Sequence, residues 1–321
     1  MASMSLSRQL KDKSSPASRF FAARFPDVRS AQQDLVAQAA DTETLLPHAS
    51  DGYPWSVVGA AIDYRIRLAF PQAVAYASRW ELVSETGGFG LPAGGDVFPL
   101  QAELGASQGA PYGFYNLWAG SFFASLRELL TEIGPTARRL QPALEEAMAR
   151  HCFVLGIYDA IGRGVPIDRT PLVSVAGSAD PDALSRLCPD AAVSDLVKMT
   201  NLFYDSQQPL LAATRVSLGP IFTGSADVHG ADADLIVDGC LIDVKATKDV
   251  GSLGGKPWAW QLLGYTLLDY EDALKIRSVA LYLARQGLLL QWSLDDFCEM
   301  LGSSKPSPLA DLRRDFKRAV S

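Results

Sequence analysis

Residues 234–248 read DLIVDGCLIDVKATK and combine apolar runs with charged side chains around a turn signal. The central Asp-Gly pair (238–239) predicts a two-residue hairpin with a type I′ turn, because this turn needs a positive φ at both central positions. The turn fixes the register of the two strands and places Asp234 opposite Asp243. Residues two apart along a strand share a face, so Lys245 is expected beside both carboxylates.

Two carboxylates in an otherwise apolar hairpin need a physical reason. Opposed side chains have Cβ atoms about 5 Å apart, so Asp234 and Asp243 repel each other unless one is protonated or a cation lies between them. A hard divalent cation such as Mg²⁺ suits two carboxylates, water and a phosphate. Lys245 could then stabilise a charged phosphate or activate a water, and the carbonyl of Val244 is a further candidate ligand. A surface ion pair on an edge strand is the alternative, which apolar residues on both strand faces disfavour.

This pattern resembles the core of the PD-(D/E)xK nuclease superfamily. Asp234 matches the first acidic position of its motif, Asp243 the second and Lys245 the lysine. In members that resemble RecB-type nucleases, the next helix carries a QxxxY motif, which Gln261 and Tyr265 in WQLLGY match. These two residues are one helical turn apart and so share a face.

The resemblance covers roughly residues 195–293 and implies a restriction-endonuclease-like fold, in which helices flank a mixed β-sheet core in an α/β arrangement. It also implies a hydrolase that cuts phosphodiester bonds of nucleic acid with Mg²⁺ or Mn²⁺. The implied catalytic residues are Asp234, Asp243, Lys245, Gln261 and Tyr265, and the implied metal ligands are Asp234, Asp243 and Val244. Many members add a glutamate from a preceding helix, and the candidates left open are Glu145, Glu146 and Asp195.

The rest of the chain suggests two regions. Residues 1–170 are expected to be mainly helical and to recognise a substrate or partner, whereas 171–321 hold the nuclease core and a C-terminal helix. A Pro-, Ser- and Gly-rich stretch at 165–181 favours this boundary. Beyond it, the pattern predicts strand, strand, helix at 256–272, strand, strand and a last helix near 308–319.

Composition narrows the class of protein. The 321 residues carry a net charge of -7, yet residues 1–40 hold six Lys or Arg against three Asp or Glu. A polyanion would therefore have to meet local basic patches. The four cysteines form no CxxC pair, which disfavours a zinc site and favours reduced core residues. No signal peptide or membrane span is recognised, so a cytoplasmic protein without membrane contact is expected.

The function expected from these observations is a metal-dependent nuclease, with DNA as the preferred partner. By analogy, a stand-alone nuclease with a helical attachment suggests an endonuclease of restriction or antiphage defence. One alternative is a repair or recombination exonuclease. Another is a catalytically silent nucleic-acid-binding or assembly subunit that keeps the fold. The sequence is also compatible with a protein partner and with a homo-oligomer.

Overall fold

The computed structural model describes residues 5–47, 55–78, 113–135, 138–162, 165–175, 181–302 and 307–321. These residues form two compact units. The sheet unit comprises the chain up to Thr44 and from Ala213 onward, and the helical unit comprises the described residues between Leu45 and Ala212. This division does not coincide with the boundary predicted at residue 170, because the first helices of the chain pack with the C-terminal sheet.

Twelve α-helices and five strands lie in the described residues. The helices are α1 (Leu6–Gln9), α2 (Pro16–Arg24), α3 (Arg29–Ala39), α4 (Trp55–Arg67), α5 (Ala73–Ser78), α6 (Gly113–Ile133), α7 (Pro142–Gly162), α8 (Asp190–Ser206), α9 (Gln208–Leu211), α10 (Gly255–Leu268), α11 (Leu294–Met300) and α12 (Leu309–Val320). The strands are β1 (Val216–Leu218), β2 (Leu235–Val237), β3 (Cys240–Lys245), β4 (Ser278–Leu283) and β5 (Leu288–Ser293). The chain is thus α/β, with a helical N-terminal part, as predicted.

The five strands form one mixed sheet in the order β1-β2-β3-β4-β5. Neighbouring strands are antiparallel except β3 and β4, which are parallel. Parallel neighbours need a long crossover, and α10 provides it. The predicted succession of strands around a helix is therefore confirmed, whereas the short strand β1 and the helix α11 were not predicted.

The core of the sheet unit lies between one face of the sheet and helices from both ends of the chain. Leu241 and Leu281 point into it from β3 and β4, and Leu262 comes from α10. Phe21 of α2 is fully buried and stacks on Trp260, with ring centroids 5.8 Å apart. The N-terminal helices are therefore part of the sheet unit's core, and removing them would expose a large apolar face.

The helical unit contains buried charges. Arg65 on α4 donates from Nε and Nη2 to both carboxylate oxygens of Glu145 on α7, each at 2.6 Å, and Nη2 also lies 3.3 Å from the hydroxyl of Tyr204 on α8. Both members of the ion pair are almost completely buried. Burial alone would lower the pKa of Arg65, but the Glu145 carboxylate raises it above its ordinary value. This pair is bidentate, which is the strongest geometry for such contacts.

A second ionic network holds the turn that follows α10. Asp272 accepts hydrogen bonds from Arg277 at 2.9 Å and Lys275 at 3.1 Å, and Arg313 of α12 lies 2.9 Å away. The pKa of Asp272 is well below its usual value, chiefly because Arg277 donates hydrogen bonds to the carboxylate. Burial opposes this shift, whereas Arg313 and Lys275 lower the pKa further.

We expect Asp272→Asn to lower the free energy of unfolding by about 1–2 kcal/mol at pH 7. Because the folded-state pKa is below the unfolded value, the carboxylate stabilises the fold above about pH 4 and loses this effect as pH falls further. Urea unfolding of wild type and variant at several pH values checks this. Glu271→Gln, at an exposed neighbouring position, is the matched control. A stability difference that stays constant down to pH 2 would contradict the assignment.

The four cysteines are all buried and form no disulfide, which confirms the prediction that they belong to the core. Burial raises the pKa of the Cys188 and Cys298 thiols to about 12 and that of Cys240 to about 11. No helix in the described part of the chain is both long enough and apolar enough to cross a lipid bilayer.

Candidate active site

The hairpin turn has the predicted backbone conformation. Asp238 has a φ of 48° and Gly239 a φ of 86°, and Val237 pairs with Cys240, as a two-residue turn requires. A Cβ on Gly239 would meet the carbonyl oxygen of Lys275 at 2.8 Å, so the position favours glycine on two grounds. The register predicted from the sequence is confirmed.

The same register brings the two aspartates to one end of the hairpin. Regular pairing ends at Leu235 and Ile242, and Asp234 and Asp243 are the next residues on the two strands. The Oδ2 atom of Asp234 accepts a hydrogen bond from the main-chain N–H of Val244 at 2.6 Å. The carboxylate of Asp234, just before the first residue of β2, therefore provides the hydrogen-bond acceptor that the main chain of a neighbouring strand would otherwise provide.

The carbonyl of Val244 points to the same side. The carbonyl of the next residue, Lys245, accepts from Ala284 N at 2.9 Å and thus points towards β4. Main-chain groups of successive residues in a strand point to opposite sides. Both the N–H and the C=O of Val244 are consequently directed towards Asp234, where no strand in the described part of the chain continues the pairing of β2 with β3. The role of this carbonyl as a third oxygen ligand stays a prediction.

Lys245 forms an ion pair with Asp243, with 2.5 Å between Nζ and Oδ2. The Asp243 side chain is almost fully buried, whereas that of Lys245 is 26% exposed. The repulsion expected between the two carboxylates is therefore relieved by Lys245 on one and by the Val244 N–H on the other. Repulsion alone consequently does not require a bound metal, contrary to the argument from the sequence.

Residues after β4 hold the end of β3 in place. The buried Arg285 donates from Nε to the carbonyl of Ala246 at 2.9 Å, and Gln286 donates to the carbonyl of Thr247 at 3.3 Å. Arg285 is thus a structural residue of the sheet. These hydrogen bonds hold the segment that directly follows Lys245 against the end of β4. The sheet therefore determines the main-chain position of the lysine.

The QxxxY pair forms one hydrogen-bonded unit on α10. The amide nitrogen of Gln261 donates to Tyr265 Oη at 2.7 Å and lies 3.2 Å from Ser7 Oγ. The amide oxygen of Gln261 accepts no hydrogen bond from any residue that the structure describes, and the side chain is half-buried. This oxygen is available to orient a water or a substrate group.

Tyr265 connects this unit to the carboxylates. Its pKa is raised above the ordinary value, first by burial and then by the negative charges of Asp232 and Asp243, with Asp234 adding a smaller effect. The tyrosine therefore keeps its proton at neutral pH. Asp232 has the largest effect of the three acids on the pKa of this hydroxyl. It bridges to Ile221, and no sequence signal distinguished it from other loop acids.

The three acids considered for completing a metal site all lie in the helical unit. Glu145 is the partner of Arg65, Glu146 is exposed on α7, and Asp195 is buried on α8. Glu145 is therefore occupied by its ion pair. Among the described residues, no group of three or more His, Cys, Asp or Glu side chains is placed to hold a metal ion. The oxygen donors at this end of the hairpin are those of Asp234, Asp243 and Val244.

Two segments next to the candidate site have structural roles. Trp258 and Trp260 are buried and donate to Gln32 and to the carbonyl of Phe25. They pack α10 against the N-terminal helices. The Gly-rich loop before α10 contains a 3₁₀ turn over Val250–Leu253 that Asp249 caps.

Comparison of this chain with models of known protein families, with curated proteins and with solved structures finds no match.

Proposed function

We propose that this protein is a Mg²⁺- or Mn²⁺-dependent nuclease of the PD-(D/E)xK type that cleaves DNA. The observation that carries the proposal is the hairpin register, which sets Asp234 beside Asp243 at one end of the sheet with Lys245 on the same face. The Gln261–Tyr265 pair lies close enough for Asp243 to act on the tyrosine. The proposal assigns the catalytic roles to these five side chains, and their arrangement around one end of the hairpin supports it.

The donor set fits Mg²⁺ or Mn²⁺ better than zinc. Asp234 and Asp243 supply two carboxylates and Val244 one carbonyl, and Mg²⁺ usually binds one or two carboxylates and completes its shell with waters and phosphate oxygens. Structural zinc sites use four Cys or His ligands, and the four cysteines here are dispersed in the cores. When bound, the ion would offset phosphate charge and make water a better nucleophile.

The protein's own side chains have separable roles in this proposal. Lys245 has a partly exposed ammonium group that can leave Asp243 to donate to a phosphate oxygen as negative charge develops. The free amide oxygen of Gln261 orients the attacking water. Tyr265 keeps Gln261 in one orientation because its hydroxyl accepts from the amide nitrogen. Arg285 and Gln286 fix the strand end on which Lys245 lies.

A second candidate function is a nucleic-acid-binding or assembly subunit without catalysis. The ion pair between Lys245 and Asp243 favours it, because this pair neutralises the buried carboxylate without a metal. In this case the same fold would bind nucleic acid, and the nucleic acid would stay intact when a divalent cation is added.

The test is cleavage of closed circular plasmid, linear DNA and RNA in Mg²⁺, Mn²⁺ or EDTA. We expect DNA to be cut with either cation and to stay intact in EDTA. Lys245→Ala should reduce the rate about 10²-fold, the usual cost of removing one charge-stabilising donor. Lys248→Ala, at an exposed position three residues away, is the matched control. Equal rates for wild type and Lys245→Ala would refute the catalytic assignment.

The substrate form separates the narrower proposals. Cleavage of closed circular plasmid would support a defence endonuclease, whereas cleavage restricted to linear DNA would support an end-dependent repair exonuclease. If neither Mg²⁺ nor Mn²⁺ leads to cleavage of any substrate and the protein still binds DNA measurably, the result would support the subunit without catalysis.

A further inference from the structure

The first helix of the chain is attached directly to the candidate site. The hydroxyl of Ser7 lies 3.2 Å from the amide nitrogen of Gln261, and the main-chain N–H of Leu6 donates to the carbonyl of Gly230, two residues before Asp232. The Leu6 side chain is buried against α10, where a Cβ on Gly264 would lie 3.0 Å from it. Glycine at position 264 therefore lets α1 approach the helix that carries the QxxxY pair.

The residues that follow Ser7 are basic and exposed. Between residues 5 and 30 the chain holds six Lys or Arg and two Asp, in a protein whose net charge is -7. Four of these cations, which we term the N-terminal basic surface, are exposed on α1, on α2 and on the turn between them: Arg8, Lys11, Lys13 and Arg19. Lys11 and Lys13 form no ion pair with any residue that the structure describes. Positive charge is thus concentrated beside an otherwise acidic site.

The turn that carries the lysines is held by hydrogen bonds from its own residues. Asp12 accepts from the N–H and the hydroxyl of Ser14, at 2.9 and 2.7 Å. Ser15 donates to the carbonyl of Gln9 at 2.7 Å and caps α2 by accepting from the N–H of Ser18. The Asp12 carboxylate is therefore held by Ser14, and Lys11 and Lys13 on either side of it are both exposed.

We propose that the N-terminal basic surface binds the phosphate backbone of the nucleic-acid strand that enters the candidate active site. Lys11 is four residues from Ser7 and lies beyond the end of α1 at Gln9, so the two residues are at most about 14 Å apart, or about four nucleotides at 3.4 Å per step. Contacts of this kind position a substrate and carry no sequence information. The inference rests on the proposed nuclease function and adds to it where the substrate lies.

The test measures DNA binding apart from cleavage. Asp243→Asn protein in EDTA is titrated against a fluorescently labelled DNA duplex by anisotropy at several salt concentrations, with and without the additional changes Lys11→Gln and Lys13→Gln. We expect the double change to weaken binding about tenfold at low salt and to reduce the slope of log Kd against log salt by about 2, close to one unit per lost phosphate contact.

The matched control is Lys275→Gln, which removes an exposed lysine at the opposite end of the sheet, next to the hairpin turn. It should leave both the affinity and the slope unchanged. An unchanged slope in the Lys11/Lys13 variant would overturn the inference, and so would absence of DNA binding by the parent protein. Neither result depends on catalysis, so metal-dependent cleavage by the wild type would still support the proposed function when this inference fails.

Discussion

Asp243→Asn should abolish metal-dependent cleavage, with a rate at least about 10³-fold below that of the wild type. The substitution removes one of two carboxylates available to a cation and the partner of Lys245 at 2.5 Å. Loss of a single preorganised electrostatic group typically costs about 10²–10³-fold, and here the cation is weakened as well. The measurement is the initial rate of DNA cleavage in Mg²⁺ and in Mn²⁺, together with calorimetric titration of Mn²⁺.

The matched control for this prediction is Asp238→Asn. Asp238 lies at the other end of the same hairpin with a φ of 48°, a conformation that asparagine also tolerates. Circular dichroism should show that both variants keep the fold, because Lys245 is partly exposed and can be solvated once its partner is neutral. A folded Asp243→Asn protein that retains more than a tenth of wild-type activity would contradict the assigned role.

The largest expected effect on stability belongs to Glu145→Gln in the helical unit. This change leaves the guanidinium of Arg65 buried without its counter-charge, and breaking such a pair from one side costs about 3–5 kcal/mol. Because whole domains are stable by only about 5–15 kcal/mol, we expect the helical unit to unfold at a much lower urea concentration. Ellipticity at the helical minimum during urea titration measures the change.

Glu146→Gln provides the control, since it makes the same chemical change at the next position of α7 on an exposed side chain. It should shift the urea midpoint very little. The double variant Arg65→Met/Glu145→Met should recover much of the loss, because a buried ion pair replaced by apolar side chains of similar volume is often neutral. Equal midpoints for the two single variants would refute the importance of the pair.

The hairpin and its register were predictable because they depend on local chemistry. An Asp-Gly pair between apolar runs permits few turn geometries, and a two-residue turn leaves a single register. The relation of Gln261 to Tyr265 was likewise predictable, because residues four apart on a helix are neighbours. The strand β1 was missed because its three residues, Val216–Leu218, carry too little pattern to distinguish them from a loop.

The remaining features depend on tertiary contacts that local patterns do not encode. Ser7 meets Gln261 across 254 residues of chain, and no periodicity in either segment indicates the other. Apolar spacing shows that α2 has a buried face, but not that Phe21 packs on Trp260. The ion pair between Lys245 and Asp243 depends on the conformations of both side chains, which the sequence pattern does not specify. The effect of Asp232 on Tyr265 likewise depends on tertiary structure.

An anomalous diffraction experiment on crystals soaked in Mn²⁺ tests directly whether this end of the hairpin binds a metal ion. We expect a peak between Asp234 and Asp243, with oxygen atoms of both carboxylates and of Val244 at about 2.0–2.6 Å, the range observed for hard divalent ions. Lys245 should then have left Asp243. Density that shows Lys245 still paired with Asp243 and no ion at this end of the hairpin would contradict a metal-dependent active site.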